Sequence, residues 1–183
     1  MLVRPLEIPE VLYLTPRRHS DARGWLSETW RRDVLSNAGI EVEFVQENES
    51  ASIAAGTIRG LHYQESPMAQ AKLVRVAAGS IFDVAVDIRP ASPTCGRWVS
   101  ATLTAAAGEQ LFVPHGFAHG YCTLEPNTRV IYVVDNYYSP SHERGLAFDD
   151  PALGIAWPVS AGDAVLSQKD RNNPRFEQLS AAK

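Results

Sequence analysis

"AKLVRVAAGSIFDVAVDIRP", residues 71–90, decides the fold. It reads as two runs rich in β-branched residues around an Ala-Gly-Ser turn, with Pro90 ending the second. Within "FDVAVDI" (82–88), a period of two puts Phe82, Val84, Val86 and Ile88 on one face and Asp83, Ala85 and Asp87 on the other. Outward from this pair, "WVSATLT" (98–104), "QLFVPHG" (110–116), "HGYCTLE" (119–125) and "TRVIYVVDNYY" (128–138) follow at short spacing, with Gly, Pro and Asn between them. Many short strands without alternating helices predict a mainly antiparallel β protein, a sandwich or barrel, jelly rolls included. Only "SETWRRDVLSNAG" (27–39) reads as a helix, with Ser27 as its cap and Gly39 as its stop. A further helical turn is expected near "DPALGI" (150–155). If the strand after Thr128 runs unbroken to residue 138, Tyr132 and Tyr138 share a face. They then either line a pocket or are half-buried strand tyrosines.

The 183 residues are most simply one domain, spanning 1–183, with enough chain to bury a core. Apolar residues make up 45% and charged residues 21%, as in ordinary globular proteins. A formal charge of −4 leaves no basic footprint for nucleic acid, although a few arginines can still serve one small phosphorylated ligand. No apolar run approaches the roughly 18 residues of a membrane span. The opening "MLVRPLEIPEV" is interrupted by Arg4, Pro5, Glu7 and Glu10 and does not read as a signal peptide. Cys95 and Cys122 lack CxxC spacing, so neither a zinc knuckle nor a disulfide framework is expected, and a cytoplasmic location fits.

Two histidine-bearing stretches carry the chemistry. In "GEQLFVPHGFAHG" (108–120), the spacing of Gly108, Pro114, Gly116 and His119 resembles the second motif of the cupin superfamily of jelly rolls. In metal-dependent cupins that histidine is joined by an HxH pair and a glutamate from the first motif. Here the matching "GLHYQESP" (60–67) supplies His62, but Gln64 stands at the second histidine position. Two histidines are a poor ligand set for a first-row metal, and His19, His115 and His142 fall in apparent loops without ligand spacing. The expectation is a cupin scaffold without its metal. A metal-dependent cupin oxygenase is the rival of a different class.

Without a metal, a pocket histidine does proton chemistry, since its ordinary pKa of about 6.5 suits a base near neutrality. Such a base needs a carboxylate to fix its tautomer, an acid across the substrate, and a cation or donor for any enolate oxygen. The sequence offers His62, Lys72, Tyr132, Asp83, Asp87 and Asp170, and does not say which converge.

Taken in order, "DARGWLSE" (21–28), "FVQENESAS" (44–52), "TIRGLHYQ" (57–64), residues 70–98, "LFVPHGFAHGY" (111–121), "YVVDNYYSP" (132–140), "FDDPALGIAWP" (148–158) and "LSQKD" (166–170) resemble the dTDP-4-dehydrorhamnose 3,5-epimerase family of nucleotide-sugar epimerases. The resemblance runs from about residue 3 to residue 175 without large gaps. It implies a homodimer of jelly-roll subunits and cofactor-independent inversion of C3 and C5 in dTDP-4-keto-6-deoxyglucose. By the same resemblance His62 is the base, Asp170 its carboxylate partner, Lys72 the enolate stabiliser and Tyr132 the acid on the opposite face. Arg59 and Arg23 resemble the diphosphate contacts, and His119 a donor near the sugar or phosphate. Gln46, Asn48, Glu28 and Tyr138 resemble the residues around the thymidine, with Tyr138 a stacking candidate, and Lys169 and Ser167 flank the proposed dyad. The "DARG" segment is expected from a neighbouring subunit. Asp83 reads as a structural strand aspartate or, alternatively, as the working carboxylate. Gly60 and Gly116 are expected to permit tight backbone geometry beside the site. Trp25 replaces the family's usual phenylalanine and Glu49 departs from the common "DNHS". Both are expected near the nucleotide end. Retention of Tyr132 favours the double epimerase over relatives that invert only one carbon.

Overall fold

The computed structural model describes residues 1–181. Six strands form one sheet in the order β1 (Leu2–Pro5), β2 (Leu12–Thr15), β10 (Gln110–Val113), β7 (Lys72–Ala78), β12 (Thr128–Val134) and β5 (Gln46–Ser52). Five more form a second sheet in the order β13 (Glu143–Gly145), β6 (Ile58–Gln64), β11 (Phe117–Thr123), β8 (Ser80–Asp87) and β9 (Trp98–Thr104). A hairpin of β3 (Arg18–Asp21) and β4 (Gly24–Ser27) stands apart from both. All pairings between these strands are antiparallel, and the two sheets face each other as the expected jelly roll.

The stretch at 71–90 holds a surprise in its turn. β7 and β8 follow one another with only Gly79 between them, yet they lie in different sheets. Gly79 adopts φ +76°, and a Cβ there would run into the Thr128 side chain. Glycine therefore lets the chain step from one sheet to the other without a loop.

β8 is buried on both faces. Ile81 and Ala85 join Val74, Val99, Leu111 and Val130 in the core between the sheets. Val84 and Val86 instead pack outward under Leu146, Leu153 and Trp157 of the C-terminal segment. That covering explains why its sequence is nearly continuous in hydrophobic residues rather than half polar. The outer face of the six-stranded sheet is covered by Leu35 and Ile40, around helix α1 (Arg32–Asn37).

Helix α1 is shorter than the predicted 27–39 and starts after Arg31, which makes no side-chain cap. Ser27 ends β4, and its hydroxyl donates to the Arg17 carbonyl instead. Pairing across the hairpin satisfies that backbone and outweighs the local capping signal. The turn near 150–155 is present, with Leu153 and Gly154 both donating to the Asp150 carbonyl. Two short helices close the chain, α2 (Gln168–Arg171) and α3 (Glu177–Ala181). Among the described residues no helix is long and apolar enough to cross a membrane.

Candidate active site

His62 lies on β6, opposite His119 of β11 on one side and Gly145 of β13 on the other. The close approach of β6 and β11 depends on Gly60 (φ +129°), where a Cβ would sit 2.5 Å from Gly120 Cα and 2.8 Å from the His119 carbonyl oxygen. β11 in turn sets Tyr121 opposite Asp83 of β8. From the other sheet come Lys72 at the start of β7, Tyr132 on β12 and Ser50 on β5. The C-terminal segment adds Ser167, Lys169 and Asp170, and the whole encloses a cavity of about 340 Å³.

The segment reaches this point by pairing along the side of β6 that faces away from β11. Leu146 and Leu61 exchange backbone hydrogen bonds, and Val165 forms a parallel bridge with Thr57. Ser167 then caps α2 by accepting from the Asp170 amide, and its hydroxyl donates to Asp170 Oδ2 at 2.9 Å. Asp170 Oδ1 lies 2.5 Å from His62 Nε2, with the aspartate side chain 5% exposed and the histidine 30%. Burial pushes the Asp170 carboxyl up, but the hydrogen bond and charge of His62 and the Ser167 hydroxyl outweigh it and leave it lowered. An ionised carboxylate only accepts, so Nε2 carries the proton and Nδ1 is the ring nitrogen left to act as a base.

Lys72 is buried, and its ammonium donates to the His62 carbonyl at 3.4 Å. Burial lowers its pKa to about 8 against the attraction of Asp83 and Glu143. It therefore still carries its charge at neutrality, close to the point where it would lose it. Burial likewise raises Tyr132, with Arg59 opposing, so this phenol keeps its proton. Tyr121, pushed up to about 12 by burial, shares a 2.7 Å hydrogen bond with Ser50 Oγ.

A second histidine–aspartate pair lies deeper. His119 Nε2 and Asp83 Oδ1 are 2.6 Å apart, with side chains only 6% and 0% exposed. At the rim, Glu143 holds the Tyr138 hydroxyl at 2.6 Å and the Lys169 ammonium at 2.5 Å. Burial pushes the Glu143 carboxyl up, and those two partners bring it back below its ordinary value.

The structure thus gathers His62, Asp170, Tyr132, Lys72, Arg59, His119, Tyr138 and Lys169 into one cavity. Gln46 and Asn48 alternate with exposed glutamates on β5, on the same face as Ser50, and bond to each other at 2.9 Å. Gln46 also accepts from the Tyr138 amide. Arg23 and Glu28 are not brought to this cavity. Arg23, near the tip of the β3–β4 hairpin, pairs with Asp21, and Glu28 lies 3.5 Å from Arg31. Tyr132 and Tyr138 do not share a strand, because β12 ends at Val134, but both reach the cavity. Glu49 points away from the site and pairs with Arg129, while the exposed Trp25 ring lies under the Arg18 guanidinium. His19 lies on β3, not in a loop.

Ser50, Tyr121 and Glu143 were missed in the sequence. Period-two alternation from Asn48 to Ser50 and from His119 to Tyr121 carried a signal for the first two. Glu143 had none, since its place depends on β13 pairing with β6. The metal-binding arrangement does not fit these residues. Among the described residues no group of three or more His, Cys, Asp or Glu is placed to hold an ion.

A family model described as dTDP-4-dehydrorhamnose 3,5-epimerase matches residues 5–178. A protein of that name from Sinorhizobium fredii is 49% identical over 98% of this chain and 91% of its own length. The Bacillus anthracis dTDP-4-dehydrorhamnose 3,5-epimerase structure, with TDP and PPi bound, superposes with a TM-score of 0.92 at 46% identity, covering 95% of this chain and 98% of that one. A Legionella pneumophila dTDP-6-deoxy-D-glucose-3,5-epimerase in complex with dTDP-4-keto-L-rhamnose gives 0.93 at 38% identity, covering 99% and 95%. With the fold, the cavity and near full-length similarity in agreement, the chain belongs to the dTDP-4-dehydrorhamnose 3,5-epimerase family.

Proposed function

We propose that the chain inverts C3 and C5 of dTDP-4-keto-6-deoxyglucose, giving dTDP-4-keto-L-rhamnose, by proton transfer alone. One observation carries the reading: a histidine base and a tyrosine acid stand on opposing sheets of one cavity, with a buried lysine lining the same cavity. The C4 ketone acidifies the hydrogens on both neighbouring carbons. In the gluco chair those two hydrogens are axial on the same side of the ring, so one base reaches both. His62 Nδ1 takes the proton, Asp170 stabilises the imidazolium through Nε2, and the electron pair moves onto O4 as an enolate. The Lys72 ammonium meets that oxygen. Tyr132 then delivers its proton to the opposite face of the same carbon, the ketone re-forms, and the configuration is inverted. Exchange with solvent returns a proton to the phenolate and removes one from the imidazolium before the second carbon reacts.

Arg59 serves the diphosphate, Lys169 adds a donor, His119 offers Nδ1 near the sugar, and Gln46, Asn48 and Tyr138 serve the thymidine. Arg23 and Glu28 reach the cavity of a second copy, so a homodimer completes each site. The hairpin that carries Arg23 stands off its own cavity, with Trp25 57% exposed, which supports this arrangement. The enzyme works in the cytoplasm.

Proton NMR of dTDP-4-keto-6-deoxyglucose in D₂O with the purified protein tests the reading. Deuterium is expected at both C3 and C5 with wild type and at neither with His62→Ala. Exchange at one carbon would make the protein a mono-epimerase, and no exchange would refute the proposal.

A further inference from the structure

Asp83 has no part in the steps above, yet its position is costly. It sits in the middle of β8 with neighbours on both sides, Tyr121 of β11 and Ala101 of β9, and is fully buried. A carboxylate taken out of water in this way is strongly unfavourable unless its charge and lone pairs are matched. Only half of that matching is present. Oδ1 accepts from His119 Nε2 at 2.6 Å, while Oδ2 has no hydrogen-bond partner among the described residues. Asp83 does not itself line the cavity; His119 stands in front of it and does.

The cation that feels the Asp83 charge is Lys72, on the facing sheet. Its ammonium makes one long hydrogen bond, to the His62 carbonyl, and its attractions come from Asp83 first and Glu143 second. Glu143 is already engaged by Lys169 and Tyr138. Charge rather than hydrogen bonding therefore sets where Lys72 points.

We propose that Asp83 is a positioning residue for the oxyanion side of the site: one oxygen fixes the His119 tautomer, and the other provides the buried negative charge that holds the Lys72 ammonium against the substrate carbonyl oxygen. The proposal rests on the epimerase reading above. His119 then presents Nδ1 as an acceptor for a sugar hydroxyl beside the Lys72 ammonium, with Asp83 behind both.

The isosteric Asp83→Asn keeps the shape and removes the charge. With the dTDP-linked 4-keto sugar, kcat is expected to fall by about 10-fold or more and KM to change much less, as for an interaction made chiefly in the transition state. The alkaline limb of kcat should move to lower pH, because Lys72 loses Asp83 and keeps only Glu143 as an anion, with His62, His119 and Tyr132 unchanged around it. The double variant Asp83→Asn/His119→Gln should lose less than the product of the two single losses. His119→Gln alone retains the Asp83 charge and should leave the alkaline limb in place, a result that does not depend on Asp83→Asn folding. A folded Asp83→Asn enzyme with wild-type kcat and an unmoved limb, multiplicative losses in the double variant, or a shifted limb in His119→Gln would each overturn the proposal. A wild-type protein inert toward the sugar would refute the epimerase reading instead.

Discussion

Replacing Lys72 by methionine should make the protein more stable while abolishing its activity. Lys72 is 9% exposed, and burial brings its pKa from the ordinary 10.5 down to about 8. At ~1.36 kcal/mol per pH unit, that drop makes the ammonium about 3 kcal/mol harder to hold in the folded chain than in the unfolded one. The sign follows from proton counting. Between pH 8 and 10.5 the unfolded chain binds more protons at this side chain than the folded one, so stability rises with pH across that window. Below pH 8 the whole penalty is present. Methionine fills nearly the same volume without a charge, so Lys72→Met removes the penalty but leaves Asp83 without its facing cation. A net gain of about 1–3 kcal/mol at pH 7 remains, worth a few degrees in Tm for a chain of this size. Urea unfolding of both proteins at one protein concentration, at pH 7 and at steps up to 10.5, measures it, and solvent exchange at C3 and C5 reports activity. A variant less stable than wild type at pH 7, or a stability gap that does not narrow as the pH rises, would refute the reasoning. Retained exchange in the variant would remove Lys72 from the chemistry.

Asp170→Asn keeps a hydrogen bond to His62 but loses the charge that stabilises the imidazolium, so kcat should fall by about 10²- to 10⁴-fold with little change in Tm, read by exchange kinetics and thermal melting. Gly60→Ala should cost on the order of 3 kcal/mol or more and most of the activity, since its Cβ would meet backbone of β11 on a left-handed φ; circular dichroism melting and exchange together check this. Asp87→Ala should destabilise by about 3 kcal/mol without acting on the chemistry. The buried Asp87 carboxylate accepts from the Arg89 guanidinium and from Ser92 and Thr94 at 2.5–2.9 Å; Ser92 and Thr94 would lose this acceptor and Arg89 would keep only Glu10 as its carboxylate partner. Denaturant unfolding beside kcat separates the two effects, and an unchanged midpoint would contradict the prediction.

Strand identity in 71–134 was legible because alternation and β-branched side chains act locally, and "WVSATLT" became β9 residue for residue. The helix over 27–39 was overestimated because Ser27 answers to its hairpin partner rather than to the helix it precedes. Along the 71–90 stretch the sequence marked a turn at Gly79 but not that the turn changes sheets; that depends on what each run packs against. His62, Lys72, Tyr132 and Asp170 could be named from their chemistry and their motifs. That His62 bonds to Asp170 rather than to Asp83 or Asp87 was implied by the family resemblance alone and not by the chemistry of the residues, because the three aspartates differ in the edge, face and segment that carry them. Asp83 is held behind His119 by strand register, Asp87 is taken by Arg89 and the loop that follows it, and Asp170 arrives only because the C-terminal segment pairs along β6. The sequence by itself determined which residues could do proton chemistry, since that is a property of side chains and their order. Only the tertiary structure decided which carboxylate serves which histidine and which wall each group faces, because those follow from pairing between strands far apart in the chain.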